Sequence, residues 1–112
     1  MKFQRYLKSI ALIILLASPS VVLAVNWYNK SMGQLQSMYD GADCIYFTLG
    51  GVSEADPVKP GDPWFAIPRS QYGAKDAYAM LLSAKLSGQV VNVATRGTLS
   101  CGYATAGSVW IP

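Results

Sequence analysis

From Gln34 to Tyr39 the side chains alternate, with Leu35, Ser37 and Tyr39 on one parity, Gln34, Gln36 and Met38 on the other, and the turn pair Asp40-Gly41 behind them. A period of two ahead of such a turn predicts a strand. Cys44 to Leu49 is apolar, β-branched or aromatic at both parities, which predicts a strand covered on two faces and stopped by Gly50-Gly51. The pattern then breaks over Val52 to Pro63, where Pro57, Pro60 and Pro63 predict a stiff exposed loop. Trp64 to Pro68 predicts a short strand, and its terminal proline confines it to an edge or a strand end.

The period next changes to that of a helix. Ala74, Ala77, Tyr78, Leu81, Leu82 and Lys85 recur at helical spacing, Ser70 offers a cap and Gly88 a left-handed stop. One amphipathic helix follows, with Tyr78, Leu81 and Leu82 on its buried stripe. Val90 to Thr95 predicts a strand turned by Arg96-Gly97, and Cys101 to Ala104 with Ser108 to Ile111 predicts one bent strand or two broken at Gly107. The expected fold is mostly β with one helix, in the order β-β-β-α-β-β. That is the order of an OB-fold-like five-stranded barrel, a partly open Greek key plugged by its helix; another small α+β sandwich with the same order is the alternative.

Ahead of this domain, Lys2, Arg5 and Lys8 precede an apolar run from Ile10 to Ala17 and the small-residue exit Val22-Leu23-Ala24. Those regions have the order of a secretory leader cleaved after Ala24, so residues 1–24 are expected to be a signal peptide and residues 25–112 the mature domain. A membrane anchor is the rival reading, but Ser18, Pro19 and Ser20 interrupt an apolar stretch already short of the roughly 20 residues a spanning helix needs. The expectation is a periplasmic or secreted protein with no stable membrane insertion.

The leader also accounts for the formal net charge of +3 on the 112 residues. Beyond it, Lys30, Lys59, Arg69, Lys75, Lys85 and Arg96 balance Asp40, Asp43, Glu54, Asp56, Asp62 and Asp76. A neutral domain lacks the positive excess that drives nonspecific nucleic-acid binding, so no nucleic-acid partner is expected. The two cysteines, Cys44 and Cys101, lie beyond the leader and allow one bridge only; in an oxidising compartment a disulfide is expected, with two buried thiols as the alternative.

Candidate chemistry is sparse. The chain has no histidine, which excludes imidazole bases and imidazole metal ligands. Ser37, Ser53 and Ser83 therefore have no imidazole to activate them, although composition leaves a Ser-Lys pair open. The expectation is a protein that is not an enzyme and carries no cofactor. Glu54, Asp56 and Asp62 lie close enough in the proline-rich loop to suggest calcium, but their spacing matches no calcium loop, and turn chemistry is the plainer reading. Rings with polar tips are abundant, and such rings serve carbohydrate recognition and protein interfaces alike. Tyr46, Trp64, Tyr78 and Trp110 fall inside predicted elements and are expected in the core, whereas Trp27 and Tyr28 at the new amino terminus are the least assured of burial.

The segments Cys44-Ile-Tyr-Phe-Thr-Leu-Gly-Gly-Val-Ser-Glu-Ala-Asp-Pro-Val, Trp64-Phe-Ala-Ile-Pro, Ala77-Tyr-Ala-Met-Leu-Leu-Ser-Ala and Cys101-Gly-Tyr-Ala resemble a family of small exported proteobacterial proteins, mostly uncharacterised. The layout, with Ser87-Gly88-Gln89 and a valine-rich strand after the helix, resembles the subtilase cytotoxin binding (B) subunits. That resemblance implies an OB-fold, a non-catalytic binding role toward a glycan or a protein, and a homo-oligomer that in the toxin subunits is a pentameric ring. It also implies a ligand near the first strand and the end of the fourth, where this chain has Gln34, Gln36, Ser53, Thr95 and Arg96. Two departures stand out. Thr95 takes the place of a sugar-holding tyrosine, and the cysteines are fewer. A solvated sheet edge is the bland reading of those five residues, and a stand-alone periplasmic structural or stress protein with no glycan ligand is the alternative function.

Overall fold

The computed structural model describes residues 23–37 and 40–112; the expected leader up to Val22 and the Met38-Tyr39 end of the first predicted strand lie outside the described residues. In chain order the elements are β1 (Asn26–Lys30), β2 (Met32–Gln36), β3 (Cys44–Leu49), β4 (Phe65–Pro68), α1 (Ala74–Ser87), β5 (Val91–Ser100) and β6 (Tyr103–Trp110). The domain is mostly β with one helix. The strands form one mixed sheet in the order β1-β5-β6-β4-β3-β2, antiparallel throughout except for the parallel pair β4–β6. β1 and β2 stand at the two ends of this order although only Ser31 separates them in the chain. Among the described residues no ladder closes the sheet between those ends, and there are six strands where five were expected.

The extra strand is β1. Its sequence, Asn-Trp-Tyr-Asn-Lys, lacks a clean alternation, and the strand itself is irregular: Asn29 adopts φ 53° and the register with β5 shifts between Trp27 and Lys30. The backbone N–H of Asn29 donates to Asn92 Oδ1 at 2.7 Å, so a side chain replaces a ladder bond there. β3 matches its pattern, with Cys44, Ile45, Tyr46, Phe47 and Leu49 all buried. β5 runs past the expected Arg96-Gly97 turn: Gly97, at φ 74°, sits in an irregular stretch of register with β6, and the chain reverses instead at Cys101-Gly102. These two residues have φ 50° and 81° between the paired Ser100 and Tyr103, the positive-φ pattern of a two-residue hairpin turn. β6 is one strand, unbroken at Gly107.

The helix ends as expected at Gly88, which is left-handed and whose N–H bonds to Ala84 O. Its start differs. Gly73 rather than Ser70 occupies the cap and supplies no side-chain bond. Leu81, Ala74 and Ala84 are buried against the sheet, Ala77 and Tyr78 pack partly against it, and Leu82 stays 37 % exposed. The buried stripe is thus narrower than the apolar pattern suggested. Under it lies the main core, built on Ile45, Phe47, Phe65, Ile67, Val91 and Val93, with the Phe47 and Phe65 rings stacked at 4.9 Å.

Because successive strand residues point to opposite faces, Cys44, Tyr46 and Ala66 face away from the helix and form a second, smaller cluster with Ala42, Trp64 and Tyr103. Cys44 and Cys101 are joined by a disulfide with their Cα atoms 6.5 Å apart, tying β3 to the β5–β6 turn beside this cluster. Among the described residues, no helix is long and apolar enough to cross a membrane.

Candidate functional site

The second cluster is open to solvent along one side. Gln36 of β2, Tyr46 of β3, Trp64 just ahead of β4 and Tyr103 at the start of β6 line a cleft of about 240 Å³. Register explains the meeting: Gln36 is the partner of Tyr46 on β3, and Tyr46 is the partner of Ala66 on β4, two residues beyond Trp64. The Tyr46 and Tyr103 rings meet edge to face at 5.6 Å. Trp64 is held by its backbone, whose N–H donates to Asp62 Oδ1 at 2.9 Å. Lys59 braces Tyr103, with its ammonium 4.0 Å from the ring centroid, 2.7 Å from Gly102 O and 3.4 Å from the Asp62 carboxylate. The cleft therefore has aromatic walls carried on the sheet and a carboxamide that both donates and accepts, with one of its walls, Tyr103, braced by an ammonium.

A comparable hollow of about 270 Å³ lies between the start of α1 and β6, but Gly73, Ala77, Met80 and Gly107 make much of its wall, and its aromatic residue, Tyr72, is fully exposed. Nothing there fixes a ring against a partner. The acids of the proline-rich loop serve its turns: Glu54 accepts from the Gly61 N–H, Asp56 from Val58 and Asp62 from Trp64. Among the described residues no group of three metal-ligating side chains occurs.

Of the five residues placed by resemblance, Gln36 lines the cleft, and Gln34 lies on the same face of β2, exposed, with its N–H on Thr48 Oγ1 at 2.8 Å. Ser53 is exposed in the loop after β3, and Arg96 is exposed on β5, its side chain lying across Gly107. Thr95 is 7 % exposed, and its hydroxyl is spent on Val25 and Asp56. Trp64, Tyr46 and Tyr103 were not among the expected ligand residues. Tyr46 and Trp64 were assigned to the core; Tyr46 is buried, but Trp64 is only half-buried, and Trp110, also expected inside, is 36 % exposed against Tyr28. The available clue was parity, since Cys44, Tyr46, Trp64 and Ala66 alternate with the residues of the main core. Trp27, expected to be poorly covered, packs partly against the core and donates its indole N–H to Ala55 O at 2.8 Å. Compared with models of known protein families and with curated proteins, the chain matches none of them.

Proposed function

We propose that this chain is an exported, non-enzymatic binding protein whose ligand is a glycan, held at the cleft of Trp64, Tyr46, Tyr103 and Gln36. The observation that carries the reading is the cleft itself, where Trp64 and the paired Tyr46 and Tyr103 rings stand beside a carboxamide. Sugars present apolar C–H faces and a girdle of hydroxyls, so rings with polar tips beside an amide that donates and accepts complement both. The leader pattern and the Cys44–Cys101 bridge support export to an oxidising compartment.

The strand order supports an OB-fold-like layout in which β1 and β2 act as two halves of one bent first strand. Only Ser31 separates them, β1 pairs with β5 while β2 pairs with β3, and β4 lies parallel to β6. This layout, together with the segments quoted above, makes the resemblance to toxin binding subunits the best guide to ligand class. An oligomer belongs to the same reading, and the exposed Tyr28 and Trp110 rings, 6.2 Å apart in an edge contact, offer an apolar surface for it.

The test is a glycan-array screen of the mature protein beside Trp64→Ala, with native mass spectrometry of both. Binding to a defined subset of glycans that disappears in Trp64→Ala supports the proposal. A silent array from the folded wild-type protein rejects the glycan, and binding that survives in Trp64→Ala but fails in Arg96→Ala moves the site to the end of the strand after the helix.

A further inference from the structure

Asp56 is wholly buried, yet neither ion pair among the described residues includes it. Its carboxylate accepts from the Val58 N–H at 2.8 Å through Oδ1, and from the Thr95 hydroxyl and the Ala24 N–H, the latter at 2.9 Å, through Oδ2. A buried charge satisfied only by neutral donors is costly, and a nearby cation would be strongly favoured. The Thr95 hydroxyl that donates to Asp56 also accepts from the Val25 N–H at 2.7 Å, and the Thr95 N–H returns a bond to Val25 O at 2.9 Å. Val25 is thus clamped one hydroxyl away from the carboxylate. Ala24, immediately before it, adopts φ 69°, a left-handed conformation unfavourable for a residue with a side chain.

We propose that the buried Asp56–Thr95 pair is a binding site for a primary ammonium, the α-ammonium of Val25 created when the leader is removed. A leader-removing endopeptidase adds one water across the Ala24–Val25 amide. The carboxylate stays on Ala24 and departs with the leader, while the amine stays on Val25 and takes up a proton. Departure of Ala24 removes its N–H from Asp56 Oδ2 and its strained backbone from the fold. In exchange, the single amide donor of Val25 becomes three charged donors beside the same hydroxyl and carboxylate. The mature chain is then locked by an ion pair that the uncleaved chain cannot make. This site shares no lining residue with the aromatic cleft, and it rests on the reading of the chain as exported and processed, not on the identity of the ligand.

The experiment uses protein exported behind a foreign leader so that it begins either at Val25 or at Ser18, with and without Asp56→Asn, alongside N-terminal mass analysis of the naturally processed chain. Natural processing should leave Val25 first, and Asp56→Asn should lower Tm by at least about 5 °C more in the Val25 chain than in the extended one. A natural chain beginning elsewhere, or equal losses in the two backgrounds, would overturn the proposal. Should Asp56→Asn fail to fold in either background, acylation of the wild-type Val25 amine decides. It should react about tenfold more slowly in the folded than in the urea-unfolded protein, while exposed Lys75 does not. Equal protection of the two amines would overturn the proposal as well.

Discussion

Leu81 and Leu82 are neighbours on the helix with opposite fates, and truncating each in turn measures how α1 docks. Leu81 is 0 % exposed within the main core, whereas Leu82 retains 37 % of its surface. Leu81→Ala removes every side-chain atom beyond Cβ from a closed site, so it loses the transfer free energy of those atoms and leaves a cavity, together about 2–5 kcal/mol. The buried helix residues on either side, Ala74 and Ala84, are too short to fill the space, which places the expected loss in the upper half of that range, at about 3 kcal/mol or more. Leu82→Ala removes a side chain already in contact with water and should cost less than about 1 kcal/mol. In a domain of this size each kcal/mol moves Tm by roughly 4–8 °C, so Leu81→Ala should melt at least about 12 °C below the parent. Urea titrations of the oxidised proteins followed by circular dichroism give the free energies, with unchanged m values showing that the unfolded states are comparable. Equal losses in the two variants, or a loss below about 0.5 kcal/mol for Leu81→Ala, would mean that the helix presents a different face to the sheet.

Other consequences follow from single contacts. Replacing Cys44 and Cys101 by serine removes a bridge of sequence separation 57 and should cost up to about 4 kcal/mol, read from the same urea titrations; an unchanged midpoint would show that the bridge does not constrain the unfolded chain. Trp27→Phe deletes the bond to Ala55 O together with the five-membered half of the indole packed against the core, so a loss of about 1 kcal/mol or more is expected, and no loss would mean that neither that bond nor that packing stabilises the fold. Lys59→Met keeps the apolar stem while removing the ammonium over Tyr103 and its bond to Gly102 O. Its effect on folding should stay within about 1 kcal/mol because the side chain is partly exposed, while binding of any array-positive glycan should weaken through the loosened Tyr103 ring; unchanged binding would show that the ligand does not need the ammonium to hold Tyr103.

The parts of this fold most legible in the sequence are those where one physical requirement had one solution. β3 is apolar at both parities and is covered on both faces, Gly88 can supply the left-handed stop, and two cysteines allow one bridge. Other segments admitted two solutions. A glycine with positive φ serves a turn or an irregular strand equally well, so Arg96-Gly97 read as the turn that Cys101-Gly102 makes. β1 escaped notice because Asn29 interrupts its alternation, and Leu82 followed Leu81 into the expected core because adjacent residues both fall within a broad apolar stripe. The cleft was obscured for a related reason. Tyr46 and Trp64 have the residue types of a core, and only the placement of the helix on the other face of the sheet leaves Trp64 beside an opening. Asp56 looked like a loop acid, because its contacts with Ala24 and Thr95 join positions far apart in the chain.

If the Trp64 cleft holds a sugar, the three tryptophan indole N–H resonances of the mature protein should report it as an array-positive glycan is added. Trp64 stands in the cleft, Trp27 is anchored to Ala55 O, and Trp110 at the end of β6 meets Tyr28 of β1, so the three report on three separate places. With a sugar in the cleft, the Trp64 resonance should shift saturably while those of Trp27 and Trp110 hold still. A saturable shift of Trp110 or Trp27 with Trp64 unmoved, or no shift in any of them, would contradict it.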